Sequence, residues 1–148
     1  MKTFFKILGG LFLVLFLVVG GFLAYVAVDG IPKYPVNPPD LKVEVTPERV
    51  ARGKIISSML CSECHLDNKT GRLTGNRLPD LPAEFGPAFS PNLTHDKNAG
   101  IGSWTDGEIA FLLRTGIRRD GQYTPPWMLK LPRIDDEDIA SIIAFLRS

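Results

Sequence analysis

Cysteine is scarce in this chain, with two among 148 residues, so no disulfide framework can hold a small extracellular core together. Histidine is as scarce. Two cysteines and two histidines, with His95 far from the spacing of a finger or ribbon, do not make the usual four-ligand structural zinc site. An excess of one charge is missing too. Lysine plus arginine (17) nearly cancels aspartate plus glutamate (16), leaving +1, and that balance argues against a nucleic-acid binder on charge grounds. There is no internal repeat or low-complexity tract, and no alternation of strand and helix patterns of the kind a thioredoxin-like dithiol requires.

What is present is concentrated. Both cysteines fall within Cys61-Ser62-Glu63-Cys64-His65, and Cys-x-x-Cys-His is the attachment sequence of a covalently bound c-type haem. Two thiols three positions apart reach the two vinyl groups of one haem, and the adjacent imidazole supplies the proximal iron ligand. The implied chemistry is redox, with one haem c per chain. In bacteria this attachment is made outside the cytoplasmic membrane, so the motif also indicates the compartment.

The N-terminus agrees. After Lys2 and Lys6 the run Ile7 to Val28 carries no charge. As a helix it is about 33 Å long, against about 30 Å for a bilayer core. A cleaved signal peptide has a shorter apolar stretch ending at a small-x-small site, and Phe22 and Tyr25 spoil the obvious cleavage positions here. The expectation is an uncleaved single-pass anchor over residues 1–28. Lys2 and Lys6 keep its short end in the cytoplasm and the remainder lies in the periplasm.

Residues 29–45 read as a tether. Pro32, Pro35, Pro38 and Pro39 forbid helix and favour an extended chain that reaches up to roughly 55 Å. From residue 46 to 148 the pattern is an all-α domain. Thr46-Pro47 is an N-cap and first-turn proline opening a helix to about Leu60, with Val50, Gly53 and Leu60 near one face. Thr105-Asp106-Gly107-Glu108 is a capping box, followed by Ile109, Leu112 and Leu113 and stopped at Gly116. Asp135 to Asp138 load the start of a last helix with the stripe Ile139, Ile142, Ile143 and Leu146, and Arg147 sits at its end. Between Leu66 and Gly102 no period is visible, an irregular segment suited to wrapping a large apolar prosthetic group. So small a domain buries a limited core, which makes the haem structural as well as functional.

The sixth iron position has few candidates. Met59 is too near the attachment site to reach the opposite face. Met128 follows the stiff turn Tyr123-Thr124-Pro125-Pro126-Trp127, and its soft sulfur favours ferrous iron. The bland alternative for Met128 is a gap-filling core residue. His95 is the rival ligand, in a polar turn that suits an exposed loop histidine. Trp104 and Trp127, with Arg72, Arg77, Arg114, Arg118 and Arg119, are candidates to hold the haem propionates. The proximal imidazole should donate its other nitrogen to a carbonyl, for which Gly71, Leu78 and Gly86 are candidates.

On the attachment motif, the Pro125-Pro126-Trp127-Met128 segment, Asn92-Leu93-Thr94 with Gly100-Ile101-Gly102-Ser103-Trp104-Thr105, and the closing run Asp136 to Arg147, the chain resembles the class I monohaem cytochrome c family, in its membrane-anchored bacterial type. The resemblance covers about Thr46 to Arg147. It implies helices packed around a covalent haem, with first and last helices crossing and Gly53 facing Phe145. It also implies Cys61 and Cys64 as thioether sites, His65 as proximal ligand and Met128 as distal ligand. Relatives commonly carry proline directly after that methionine, where this chain has Leu129.

The function so implied is single-electron transfer between redox proteins on the outer side of the bacterial cytoplasmic membrane, by a carrier rather than an enzyme. The alternatives are an electron-relay subunit of a dehydrogenase or oxidase complex, and, less favoured, a haem enzyme or gas sensor with an open iron.

Overall fold

The computed structural model describes residues 2–78, 82, 84 and 86–148. It contains five helices among those residues: α1 (Lys2–Asp29), α2 (Pro47–Leu60), α3 (Ser62–His65), α4 (Asp106–Thr115) and α5 (Asp136–Arg147). No strand forms among them. Three isolated bridges, such as Arg77 with Phe89, are the only extended pairing there. The chain divides into two compact units, one ending at Tyr34 and one beginning at Pro35.

The first unit is α1. Between Lys6 and Asp29 it is uncharged and apolar on every face, and none of its residues is buried by protein. A helix of this kind, apolar on every face, is the type that a bilayer buries.

In the second unit, the expected caps form. The Thr46 hydroxyl accepts from the Arg49 N–H at 3.3 Å and Pro47 occupies the first turn of α2. Thr105 and Glu108 cap each other at the start of α4, and Gly116 ends that helix with φ of 76°. Asp135 caps α5 by accepting from the Glu137 N–H at 2.8 Å. The core is built from one face of α5 (Ile139, Ile142, Ile143, Ala144 and Leu146) against Ile109, Ala110 and Leu113 of α4, with Ile101 and Val43.

The contact between α2 and α5 is close because the residues at it are small. Gly53 faces Phe145, as the resemblance implies, and a β-carbon on Gly53 would overlap the Ser141 carbonyl. Ser57 and Ser141 are fully buried in these helices. Two ion pairs join the N-terminal halves of these helices, Arg49 to Glu137 at 2.7 Å and Arg52 to Asp138 at 2.5 Å. The acidic start of α5 therefore does more than compensate the helix dipole: it ties α5 to α2.

The tether is shorter than the proline pattern suggests. A β-carbon on Gly107 would overlap the Pro39 carbonyl, the Val43 N–H donates to Asp106 at 2.9 Å, and the Val43 side chain is in the core. Proline density excluded helix but said nothing of what the extended segment lies against. Asp106, fixed by the α4 capping box, also holds Arg147 of α5 at 3.0 Å, so one carboxylate gathers the linker and the last helix.

Candidate haem site

The attachment motif is continuous with α2. Cys61 caps that helix through its N–H to the Ser57 carbonyl at 2.9 Å, and α3 begins at the next residue, with the His65 N–H donating to the Cys61 carbonyl at 2.9 Å. Helical geometry places residues three apart on one side of a turn, which puts Cys61 and Cys64 on a common face. Both thiols are free and half-buried. Burial pushes the Cys61 thiol above its usual range, opposed by a hydrogen bond with Ser57.

His65 is 7% exposed. Its Nδ1 lies 2.8 Å from the Pro91 carbonyl, which can only accept, so Nδ1 carries the proton and Nε2 keeps its lone pair. Burial lowers its tendency to protonate, the Pro91 bond opposing. The result is a neutral imidazole with one nitrogen committed and the other available, the state in which histidine binds a metal. The expected acceptors Gly71, Leu78 and Gly86 are not the partner. The acceptor comes instead from the Pro91-Asn92-Leu93-Thr94 turn, where Asn92 folds back on the Thr94 N–H at 2.8 Å. Asn92-Leu93-Thr94 stood out in the sequence as part of the family resemblance, but nothing in residue spacing brings residue 91 beneath residue 65.

Two loop segments strap the backbone of the motif. The Gly75 N–H donates to the His65 carbonyl at 2.9 Å, and the Ser90 hydroxyl donates to the Cys64 carbonyl at 2.5 Å while accepting from the Asn76 N–H at 2.8 Å. Gly75 has φ of 91°, where any side chain would be strained, and a β-carbon there would overlap the Ser90 carbonyl. Ser90, Gly75 and Asn76 are site-building residues that the sequence reading missed. Gly75 and Asn76 act through backbone N–H groups and Ser90 through a hydroxyl placed between backbone partners, pairings that leave no motif.

Met128 is half-buried in the 123–130 loop between α4 and α5, its N–H donating to the Pro125 carbonyl at 3.1 Å. Met59 is 67% exposed on the outside of α2. His95 has its Nε2 2.6 Å from the Leu146 carbonyl, so its ring is engaged in fastening its loop to the end of α5.

Most of the arginines considered for propionates are otherwise engaged. Arg114 pairs with Asp136 and donates to the Ile134 carbonyl at 2.6 Å. Arg118 pairs with Asp120 at 3.0 Å, and Arg119 lies over the Trp104 ring at 5.2 Å. Trp127 is 47% exposed. Thr124, four residues before Met128, is 4% exposed and its hydroxyl has no hydrogen-bond partner among the described residues.

These residues fit a covalent haem: a thiol pair on one helical turn and a neutral buried imidazole with one free nitrogen. Comparison with known proteins agrees. The chain is 30% identical over 117 residues, 77% of its length, to a nicotinate dehydrogenase subunit of Pseudomonas putida, covering 10% of that protein. It is 35% identical over 89 residues to the fructose dehydrogenase cytochrome subunit of Gluconobacter japonicus, covering 58% of this chain and 18% of the relative. It is 30% identical over 99 residues to the cytochrome c subunit of the quinone alcohol dehydrogenase of Gluconobacter oxydans, covering 65% of this chain and 20% of the relative. The chain thus spans a fifth or less of the length of these relatives. The sequence profile described as Cytochrome c matches residues 50–148, so the chain belongs to the cytochrome c family, with one covalent haem c as its cofactor and electron transfer as its role.

Proposed function

We propose that this protein is a membrane-anchored monohaem cytochrome that passes single electrons between redox proteins on the outer side of the bacterial cytoplasmic membrane. Residues 1–28 anchor it, 29–45 form the linker, and 46–148 hold the haem. Because residues 39–43 lie on the haem domain, the free spacer is about 28 Å at most, over residues 30–38.

The observation that carries this reading is the buried His65 imidazole with Nδ1 committed to Pro91, directly after the free thiol of Cys64. In this reading the Cys61 and Cys64 sulfurs form the two thioethers, His65 Nε2 is the proximal ligand and the Met128 sulfur the distal one. The haem supplies a one-electron ferric/ferrous couple, reduced by one partner and oxidised by the next. The chain holds the His65 imidazole neutral and oriented through Pro91, and His65 with Met128 would hold the iron and exclude exogenous ligands. It needs no catalytic residue.

Optical spectra of the haem-loaded protein test the assignment. Six-coordinate, low-spin spectra are expected in both oxidation states, and Met128→Ala should convert the iron to high spin. Rapid carbon monoxide binding by the ferrous wild-type protein would instead support an open-iron enzyme or sensor.

A second reading is favoured by the relatives, which are named as subunits of dehydrogenases. In it, the chain is the electron-relay subunit of a membrane-bound dehydrogenase. Purification in mild detergent separates the two: a stoichiometric catalytic partner supports the relay subunit, and a lone cytochrome supports the mobile carrier.

A further inference from the structure

We infer that Lys130 is a clasp that keeps the methionine loop closed, a positioning residue acting on Met128 through the loop backbone; the inference rests on the assignment of Met128 as distal ligand.

The base of the loop is fixed on both sides to the end of α4. The Thr124 N–H donates to the Gly116 carbonyl at 2.7 Å, and the Leu131 N–H donates to the Leu113 carbonyl at 2.8 Å. Between these anchors lie Pro125 to Lys130, with Met128 near the middle. Both hydrogen bonds that close this segment on itself converge on the Pro125 carbonyl: the Met128 N–H at 3.1 Å and the Lys130 ammonium at 2.8 Å.

Lys130 is well placed for the second of these. Its ammonium sits 4.7 Å from the centroid of the Tyr123 ring, so the same charge contacts the residue that opens the loop. Its stem crosses Gly116, with Cε and Cγ 2.7 and 3.0 Å from the position a β-carbon would take there. The left-handed glycine that ends α4 therefore also leaves the channel in which the lysine lies. The side chain runs backwards across the loop and joins position 130 to positions 123 and 125. Without it, 125–130 retain one internal hydrogen bond and the stiffness of two prolines.

A loop held this way opens at a rate set by the clasp. The distal sulfur then leaves the iron only when the loop swings, and an incoming ligand must wait for that event. An exposed lysine serving only as a docking charge for a partner would have no such effect on an isolated protein.

The test uses the full-length, haem-loaded protein in detergent, with imidazole as the probe ligand of the ferric iron and no redox partner present. Lys130→Met keeps the stem and removes the charge; Lys130→Arg keeps a charged donor. Imidazole is expected to bind Lys130→Met about tenfold more tightly and faster, the order of effect of one charge-assisted hydrogen bond and one ring contact near the surface. Lys130→Arg should recover most of the wild-type behaviour. Lys130→Gln, which alters the stem as well, should follow Lys130→Met, and far-ultraviolet circular dichroism checks that each variant is folded. Imidazole affinity within twofold of wild type in both Lys130→Met and Lys130→Gln would overturn the clasp while leaving the ligand assignment standing. A Met128→Ala protein with an unchanged ferric spectrum would overturn the ligand assignment, and the clasp with it.

Discussion

Gly53 of α2 and Ser141 of α5 meet backbone to backbone: a β-carbon on the glycine would overlap the serine carbonyl and come within 2.8 Å of the Phe145 Cβ. A carbonyl within a helix cannot move aside, so the two helices must separate if any side chain is added. Gly53→Ala is expected to destabilise the haem domain by about 3 kcal/mol, the upper range for overpacking a close contact. Denaturant unfolding of the haem-loaded protein measures it, and a change under about 0.5 kcal/mol would mean that the contact is looser than described.

The ion pair between Arg49 and Glu137 sets a dependence on pH. The hydrogen bond from Arg49 holds the Glu137 carboxyl below the usual carboxylate range. A depressed folded-state value contributes stability that is complete above the ordinary carboxylate pKa, near 4.5, and is lost as pH falls through the lower folded value. Melting temperatures of wild type and Glu137→Gln should differ at pH 6 and converge in stronger acid. Equal melting temperatures throughout would show that solvent screens the pair completely.

Thr124 buries a hydroxyl that no group among the described residues satisfies. In haem-free material Thr124→Val should be neutral or slightly stabilising, since an unpaired buried polar group is removed at nearly constant shape. In haem-loaded material the same change should cost about 1 kcal/mol, because the hydroxyl then has a partner to lose. Identical effects in the two forms would place the hydroxyl away from the haem.

The linker between Pro39 and Val43 belongs to the haem domain by its packing. A soluble version beginning at Pro35 should be more stable than one beginning at Thr46 by about 2 kcal/mol, the order of burying one valine side chain with its backbone hydrogen bond. Asp106→Ala should remove the hydrogen-bond share of that difference, about 1 kcal/mol, and loosen Arg147 as well, which thermal unfolding of the four proteins would show.

Local chemistry made much of this protein legible from its residues alone. Thr46-Pro47, the Thr105 to Glu108 box and Gly116 fix helix ends through bonds that span three or four residues, so sequence order is enough to place them. The Cys61 to His65 motif is legible for the same reason: one helical turn carries both sulfurs and the imidazole. The long apolar stretch of α1 needs only its length and composition. Apart from Gly53 against Phe145, which the family resemblance implied, partners far along the chain required the tertiary structure. Pro91 beneath His65, Ser90 on the Cys64 carbonyl, Leu146 on His95 and Asp106 on Val43 join residues 26 to 63 positions apart. Such pairings are decided by how helices and loops pack, and most of them use a backbone carbonyl or N–H, which every residue type carries and no sequence pattern can advertise.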